Sequence, residues 1–412
     1  MSTISNEFYA LKNKKTMHIS AFCKVKDDAD IIESYCRYHL SFMDSIVVWD
    51  DCSSDSTPEI VKCLATEGLA VELIEIPKDA PHLRDYDLNA LHDYALHVFN
   101  KYNADLVVPL DVDEFLFCED GSNPREALER LDNAAEHRLF WRTSVYNRDP
   151  DDGNIFLPDY FDEYRDPDVE RFSKTLLSRY IVENCGGTLA AGKHGLLFPN
   201  DEIRKSVHVI NNDLIRIAHF PIRSTNHAMV KTICVQLKTS TFLNAKPFQY
   251  KPIYEDIKSK GKPTPEQVRQ FSLEYASKPN RLTQPVNTIK QFRGALKADF
   301  LTEDIRLIYT NYRHSNYLDQ ILSFFELLLE KMKMDINTTN ADLAEAKSAL
   351  GTASQISEEI EAVKLSNLQL EKIVQQKESE LQQSKKYTNQ LLNSTCWRIT
   401  KPMRVIMNLF RN

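Results

Sequence analysis

Short apolar runs alternate with helically spaced apolar residues through the first 110 positions of the chain. Residues 17–25 (MHISAFCKV), 45–49 (SIVVW), 70–76 (AVELIEI) and 105–110 (DLVVPL) are β-branched or apolar and end near polar residues, the pattern of buried strands. Between them, Ile31, Ile32, Tyr35, Tyr38 and Leu40 predict one helix. Ile60, Val61 and Leu64, led by Thr57 and Pro58, predict a second, and Leu88, Leu91, Ala95 and Val98 a third. The alternation predicts an α/β fold: a mostly parallel sheet with helices on its faces and a ligand crevice at the carboxyl ends of the strands.

From about residue 120 to 250 the pattern turns irregular and aromatic, with loop signals at 149–154, 185–188 and 190–195 between the strand-like KTLLSRYIV and LIRIAHF. This half is expected to face the substrate. Residues 251–336 carry Pro-interrupted and then Leu-rich helical character, expected to pack on the core as a helical extension. Over 337–392 a heptad seam runs through Ala346, Ala349, Ala353, Ile356, Ile360, Val363, Leu370, Val374, Leu381 and Leu391. Such a seam predicts a coiled coil, and Asn367 at an a position favours a parallel homodimer; the alternative is one long helix folded back on the body. Residues 393–412 form a basic tail in which Ile399, Met403, Ile406 and Phe410 oppose Lys401, Arg404, Asn408 and Arg411, with Trp397 at the boundary. That arrangement suits peripheral contact with an anionic membrane, or a helix docking on a partner subunit.

Composition narrows the class. With 412 residues, the chain has room for two or three folded units at roughly 150 residues each. A net charge of -8 argues against a nucleic-acid binder, which must neutralise many phosphates. The eight cysteines form no CxxC pair, so neither a structural zinc nor a secreted disulfide scaffold is expected. The start lacks the apolar core of a signal peptide, and no apolar run approaches the ~20 residues that span a bilayer. The expected location is the cytoplasm, with the tail on the inner face of the membrane.

The sharpest chemical signal is Asp111-Val112-Asp113-Glu114-Phe115, directly after the strand LVVPL. In an extended segment residues i and i+2 point the same way. Asp111 and Asp113 would then face one divalent cation, Mn²⁺ or Mg²⁺, that grips a diphosphate. Acidic triplets also occur as ordinary solvated turns. Lys26-Asp27-Asp28 follows the first strand and Asp50-Asp51-Cys52-Ser53-Ser54-Asp55 the second, so three strand ends converge. Their carboxylates and hydroxyls could hydrogen-bond a base edge and a ribose diol, with Lys24 or Lys26 near phosphate; cap and Asx-turn chemistry is the structural alternative.

On these residues the stretch 18–116 resembles a family 2-type glycosyltransferase of the GT-A fold. The relevant subgroup reads KNEADxxxEWxxYH, YDNxSxDGT and LDVDEFL. Here these stand as Lys26 to His39, Trp49 to Thr57 and Leu110 to Leu116, with Asp27-Asp28 in place of Asn-Glu and Ser56 in place of Gly. His219 to Ser224, followed by Lys231, is similar to the subgroup's HYxxRS segment, which extends the resemblance to about residue 235. The resemblance implies a GT-A domain over 1–250, with a nucleotide-sugar half (17–120) and an acceptor half (121–250). It implies transfer of a sugar from a nucleoside-diphosphate donor to a glycan or lipid-linked acceptor, in cell-surface polysaccharide assembly. The donor side would be formed by Lys24, Lys26, Asp28, Asp50, Asp51 and Asp111. The metal would be held by Asp111, Asp113 and His219, although His219 also reads as a satisfied histidine beside its strand. Inverting transfer needs a base for the acceptor hydroxyl, for which Asp162, Glu163 and Glu183 are candidates. Trp141 could stack on an acceptor sugar or belong to the core. Two rivals remain: a nucleotidyltransferase, whose Gly-rich phosphate loop is missing because the first glycine is Gly68, and a non-catalytic coiled-coil scaffold.

Overall fold

The computed structural model describes residues 16–78, 88–150, 156–166, 172–241, 251–275, 289–292, 296, 307–309, 317–349 and 355–393. Strand β1 (Ile19–Val25) lies between β2 (Ser45–Asp50) and β4 (Leu106–Pro109), and β3 (Val71–Glu75) extends the sheet beyond β2, all parallel. Each falls within two residues of the strand read from the sequence. Helices α1 (Ile32–Leu40), α2 (Thr57–Thr66) and α3 (Leu88–Tyr102) intervene. Ala21, Cys23, Ile46 and Val48 pack with residues of α1 and α2, while Phe22, Val47 and Val107 pack with Leu91, Tyr94 and Val98 of α3. Burial on both faces is why these strands read as continuous apolar runs.

In the order β3-β2-β1-β4 the chain reverses its direction of travel between β1 and β4, and an open α/β sheet presents its ligand crevice at that point. The short β9 (Leu177–Ser178) closes the edge antiparallel to β4.

The region from 121 onward is more regular than its sequence implies. It builds a second sheet from β5 (Glu114–Cys118), β6 (Glu136–Thr143), β12 (Val209–Asn211) and β13 (Ile215–His219), with β8 (Ser173–Thr175) paired to β6. Strand β13 runs antiparallel to β5 and parallel to β6, placing His219 opposite Glu114. KTLLSRYIV is not one strand: it supplies β8 to the second sheet, β9 to the first, and then the helix α4 (Arg179–Cys185). A hairpin of β10 (Thr188–Leu189) and β11 (Leu196–Leu197) frames a turn at Ala191–Lys193. Strand β7 (Glu163–Arg165) pairs with β14 (Ile289–Gln291).

Helices α5 (Thr225–Thr241), α6 (Lys251–Lys260) and α7 (Pro265–Glu274) follow. Ile253, Val268, Phe271 and Tyr275 share one core with the sheets. The chain divides into two compact units, one ending at Phe325 and the other starting at Glu326.

The expected coiled coil over 337–392 falls on two helices. Helix α8 (Tyr317–Ala349) and helix α9 (Gln355–Asn393) pair with each other in one chain. In the second unit Lys385 bonds Glu326 at 2.7 Å, Lys333 bonds Glu378 at 2.7 Å, and Asn367 donates to Asn340 at 2.6 Å. Partner numbers fall on α8 as they rise on α9, which defines an antiparallel hairpin. Asn367 therefore meets an asparagine of its own chain, and the seam's favoured parallel homodimer is not what this pairing builds. Gly351 and the basic tail 394–412 lie outside the described residues, and among those residues no helix is long and apolar enough to cross a membrane.

Candidate functional site

Strand β4 ends at Pro109 and β5 starts at Glu114, so the acidic stretch is the crossing from the first sheet to the second. The crossing is a tight turn. The Glu114 N–H donates to the Asp111 carbonyl at 3.0 Å, and the Asp111 N–H donates to Glu114 Oε2 at 2.8 Å. The segment is thus a turn and not the extended stretch expected, because the chain must bend to change sheets.

The two carboxylates meet different partners. Lys174 Nζ donates to Asp111 Oδ2 at 2.5 Å, and Lys193 Nζ donates to Asp111 Oδ1 at 2.7 Å and to the Leu110 carbonyl at 2.8 Å. Asp113 Oδ2 accepts from Lys231 Nζ at 3.3 Å and stands 3.8 Å from His219 Nε2. Its own carbonyl accepts from the Phe220 N–H at 2.8 Å, which locks the turn to the end of β13.

Burial opposes ionisation of Asp111, but the Lys174 and Lys193 ammoniums outweigh it and hold the carboxyl far below the usual carboxylate range. Asp113 is also held low, burial again being overcome, chiefly by Lys231. Glu114 goes the other way. It is fully buried, its acid form is favoured up to about 8 despite Lys174, and its Oε1 has no hydrogen-bond donor among the described residues. Burial lowers His219 to about 3, so at neutral pH its imidazole is uncharged and competent as a ligand.

The donor-side candidates do gather at the carboxyl ends of β1, β2 and β4. Lys24 pairs with Asp51 at 3.0 Å. Lys26 Nζ donates to the Cys52 carbonyl at 2.8 Å and to the Asp51 carbonyl at 3.3 Å, so this ammonium stitches the loop after β2. Asp50 Oδ2 accepts from the Ser53 N–H at 3.0 Å, while its buried Oδ1 has no partner among the described residues. Asp28 accepts from Arg223 Nη2 at 2.9 Å and from the Lys26 N–H at 3.1 Å, and burial, only partly offset by Arg223, raises its carboxyl to about 7. Arg223 also grips Asp30 with two bonds, at 2.6 and 2.8 Å. This buried guanidinium ties the loop after β1 to the segment that follows His219.

Two sequence candidates change standing. Glu183 lies on α4, whose first residue Arg179 donates its N–H to the Asp105 carbonyl at the amino end of β4, away from the crevice; Glu183 itself pairs with Arg179 on the surface. It is removed as a base candidate because β9 runs antiparallel to β4 and delivers the chain to the wrong end. Trp141 stacks on the His219 ring with centroids 4.1 Å apart and 30° between planes, and lies 5.1 Å from Phe172. With one face covered by His219, the indole backs the imidazole instead of presenting that face as a sugar platform. Asp162 and Glu163 stay near the site: the Val145 N–H donates to the Glu163 carbonyl at 2.8 Å, one residue beyond the Ser144 N–H that donates to the His219 carbonyl. Glu163 is held by Arg269 at 3.0 Å.

Lys174 and Lys193 were missed by sequence reasoning. Their signal was a lysine inside the apolar stretch KTLLSRYIV and another in AAGKHG, but nothing local says that both reach Asp111. Gly192 is required at this turn: its φ is +69°, and a Cβ there would stand 2.7 Å from the His194 ring.

Among the described residues no three His, Cys, Asp or Glu side chains cluster to hold a metal ion by themselves. The Asp113 and His219 pair nevertheless fits two ligands of a hard cation. Ligands about 2.1 Å from a common ion stand no more than about 4.2 Å apart, and the observed separation is 3.8 Å. Mg²⁺-type sites commonly complete their shell with substrate phosphates and water. Asp111, with both oxygens on lysines, does not fit the metal role given to it from the sequence.

No family model matches the chain, and no curated protein does. Among solved structures it is similar to glucosyl-3-phosphoglycerate synthase from Mycobacterium tuberculosis in complex with Mn²⁺, uridine diphosphate and glucosyl-3-phosphoglycerate, at 18% identity and a TM-score of 0.22. That match covers 34% of this chain and 48% of the synthase, about half its length. It is also similar to the mannosyltransferase PcManGT from Pyrobaculum calidifontis in complex with GDP-Man and Mn²⁺, at 15% identity and a TM-score of 0.31, over 80% of this chain and 93% of that one. Likenesses this remote leave the chemistry to be read from the site itself.

Proposed function

We propose that the chain is a divalent-cation-dependent glycosyltransferase that moves a sugar from a nucleoside-diphosphate donor to a glycan or lipid-linked acceptor. The observation that carries this reading is the buried, ionised Asp113 beside the neutral His219 at the carboxyl edge of a parallel sheet, where the strand order reverses. Asp113 and His219 would hold Mn²⁺ or Mg²⁺, which when bound supplies a Lewis acid for the departing diphosphate. Lys231 adds a positive charge beside the same carboxylate, where phosphate oxygens would collect. Asp111, neutralised by Lys174 and Lys193, would serve the donor by its backbone turn more than by its charge. Asp50, with an unpartnered buried oxygen, suits a donor N–H or hydroxyl of the nucleoside. For an inverting transfer, Asp162 or Glu163 would take the proton of the acceptor hydroxyl. The basic tail would bring the enzyme to the inner face of a membrane bearing lipid-linked acceptors.

Release of nucleoside diphosphate by the full chain, measured with UDP-glucose and GDP-mannose in the presence of Mn²⁺, tests the reading. Turnover that falls about 10²–10³-fold in Asp113→Asn is expected, the size typical for loss of one stabiliser of developing charge. Equal turnover in wild type and variant would refute the assigned role. Release of pyrophosphate from nucleoside triphosphates, with no diphosphate from either sugar donor, would favour the nucleotidyltransferase instead.

A further inference from the structure

His194 follows the turn at Ala191–Lys193 that carries Lys193 to Asp111. Its Nδ1 stands 2.6 Å from the Ser173 carbonyl oxygen. A carbonyl can only accept, so Nδ1 bears the hydrogen and Nε2 the lone pair. Nε2 has no hydrogen-bond partner among the described residues, and the residue is exposed. Burial of part of the ring lowers the imidazole below its ordinary value; Lys174 and Lys193 add to this, while the Ser173 bond and Asp111 oppose it. At neutral pH the ring is therefore uncharged and its free nitrogen is an acceptor.

The ring is held firmly. Its centroid lies 6.0 Å from that of Trp141 and 5.8 Å from that of Phe172. Gly192 and Lys193 both take left-handed φ, +69° and +63°. Strain of this kind persists only where the surroundings over-determine it. Here Lys193 is bonded to Leu110 and Asp111, and Lys174 Nζ donates to the Gly192 carbonyl at 3.1 Å. Strand β8 thus sets the imidazole against the acidic turn, since Ser173 holds His194 and Lys174 holds Asp111. Trp141 also stacks on His219 at 4.1 Å, so the two imidazoles flank one indole, with centroids no more than about 10 Å apart when the two separations are laid end to end. A sugar carried by a diphosphate at Asp113 and His219 falls within that reach, and its hydroxyls are donors for a free imidazole nitrogen.

Taking the crevice as a nucleotide-sugar site, as proposed above, we infer that His194 is a specificity-determining residue whose Nε2 accepts a hydrogen bond from a hydroxyl of the donor's sugar. Asp50, Asp113, His219 and Lys231 serve the nucleoside and the diphosphate, so the contribution of His194 falls on the sugar alone.

Titration calorimetry of the full chain with Mn²⁺ tests this, with UDP-glucose, GDP-mannose and the bare diphosphates UDP and GDP as probes. His194→Phe keeps an aromatic ring against Trp141 and Phe172 and removes the acceptor. The variant is expected to bind the tighter of the two nucleotide sugars roughly 10-fold more weakly, the size of one neutral hydrogen bond, with the affinity for the matching bare diphosphate unchanged. Among monodeoxy forms of that sugar, one should bind roughly 10-fold more weakly to the wild type and lose nothing further in His194→Phe, the non-additivity of two partners in one contact. This coupling separates a contact with the sugar from damage to the turn. Equal affinity of wild type and variant for the nucleotide sugar, an equal loss on the bare diphosphate, or deoxy effects that multiply with the substitution at every hydroxyl would overturn the proposal and leave the nucleotide-sugar site standing. If neither nucleotide sugars nor bare diphosphates bind with Mn²⁺, the reading of the site falls and the role of His194 with it.

Discussion

Replacing Lys193 by Met removes an ammonium that is 1% exposed and that donates to the Leu110 carbonyl at 2.8 Å and to Asp111 Oδ1 at 2.7 Å. Met fills nearly the same volume, so the cavity contribution is small and the loss is electrostatic. Breaking a buried pair by removing one partner costs about 3–5 kcal/mol. Here Asp111 keeps Lys174 at 2.5 Å and a third of its side chain meets solvent, which screens the charge left behind. The expected cost is therefore about 2–3 kcal/mol, a fall in Tm of about 3–4 °C for a unit of this size. The pH dependence has a definite sign. Asp111 is held below its unfolded value, so the stability it contributes is present above about pH 4 and is lost as the pH falls further. The gap between wild type and variant should be full at neutral pH and shrink below about pH 4. Calorimetry of both proteins from acid to neutral pH measures it. A difference under about 2 °C at neutral pH, or one that widens on acidification, would refute the pairing as the source of stability.

Two further outcomes follow from the same cluster. Glu114 is raised to about 8, so the fold increasingly disfavours its ionisation between about pH 4 and 8 and stability falls as pH rises through that window. Glu114→Gln should remove on the order of 3 kcal/mol of this decline, seen as a flatter Tm profile between pH 5 and 8.5; an unchanged slope would show that the group is ionised throughout. Arg223→Met leaves Asp28 and Asp30 without their buried guanidinium and should cost about 3–5 kcal/mol by urea unfolding. Arg223→Lys should recover only part of that, because an ammonium cannot reproduce the two-pronged grip on Asp30; full recovery would argue against the fork geometry.

The parts of this protein that were legible in one dimension are those made by neighbours in the chain. Strands β1, β2 and β4 announce themselves because they are buried on both faces and so are mostly apolar, and the turns that follow collect the acids and hydroxyls that close helices and loops. From that much, the sheet, its crevice and the gathering of Asp28, Asp50, Asp51, Asp111 and Asp113 at one edge could be foreseen. Only the folded chain decided what each acid meets. Lys174 and Lys193 are 63 and 82 positions from Asp111, and Arg223 is 193 and 195 positions from Asp30 and Asp28. Glu183 shows the reverse error: a plausible carboxylate carried to the far end of the sheet by one antiparallel strand. The hairpin of α8 and α9 makes the same point, since a heptad pattern states that an apolar seam will be covered but not by which helix. Periodicity records which side of an element is dry, a local property of the backbone. Which charge sits against which is set by long loops closing, and their cost and geometry leave no trace in residue spacing.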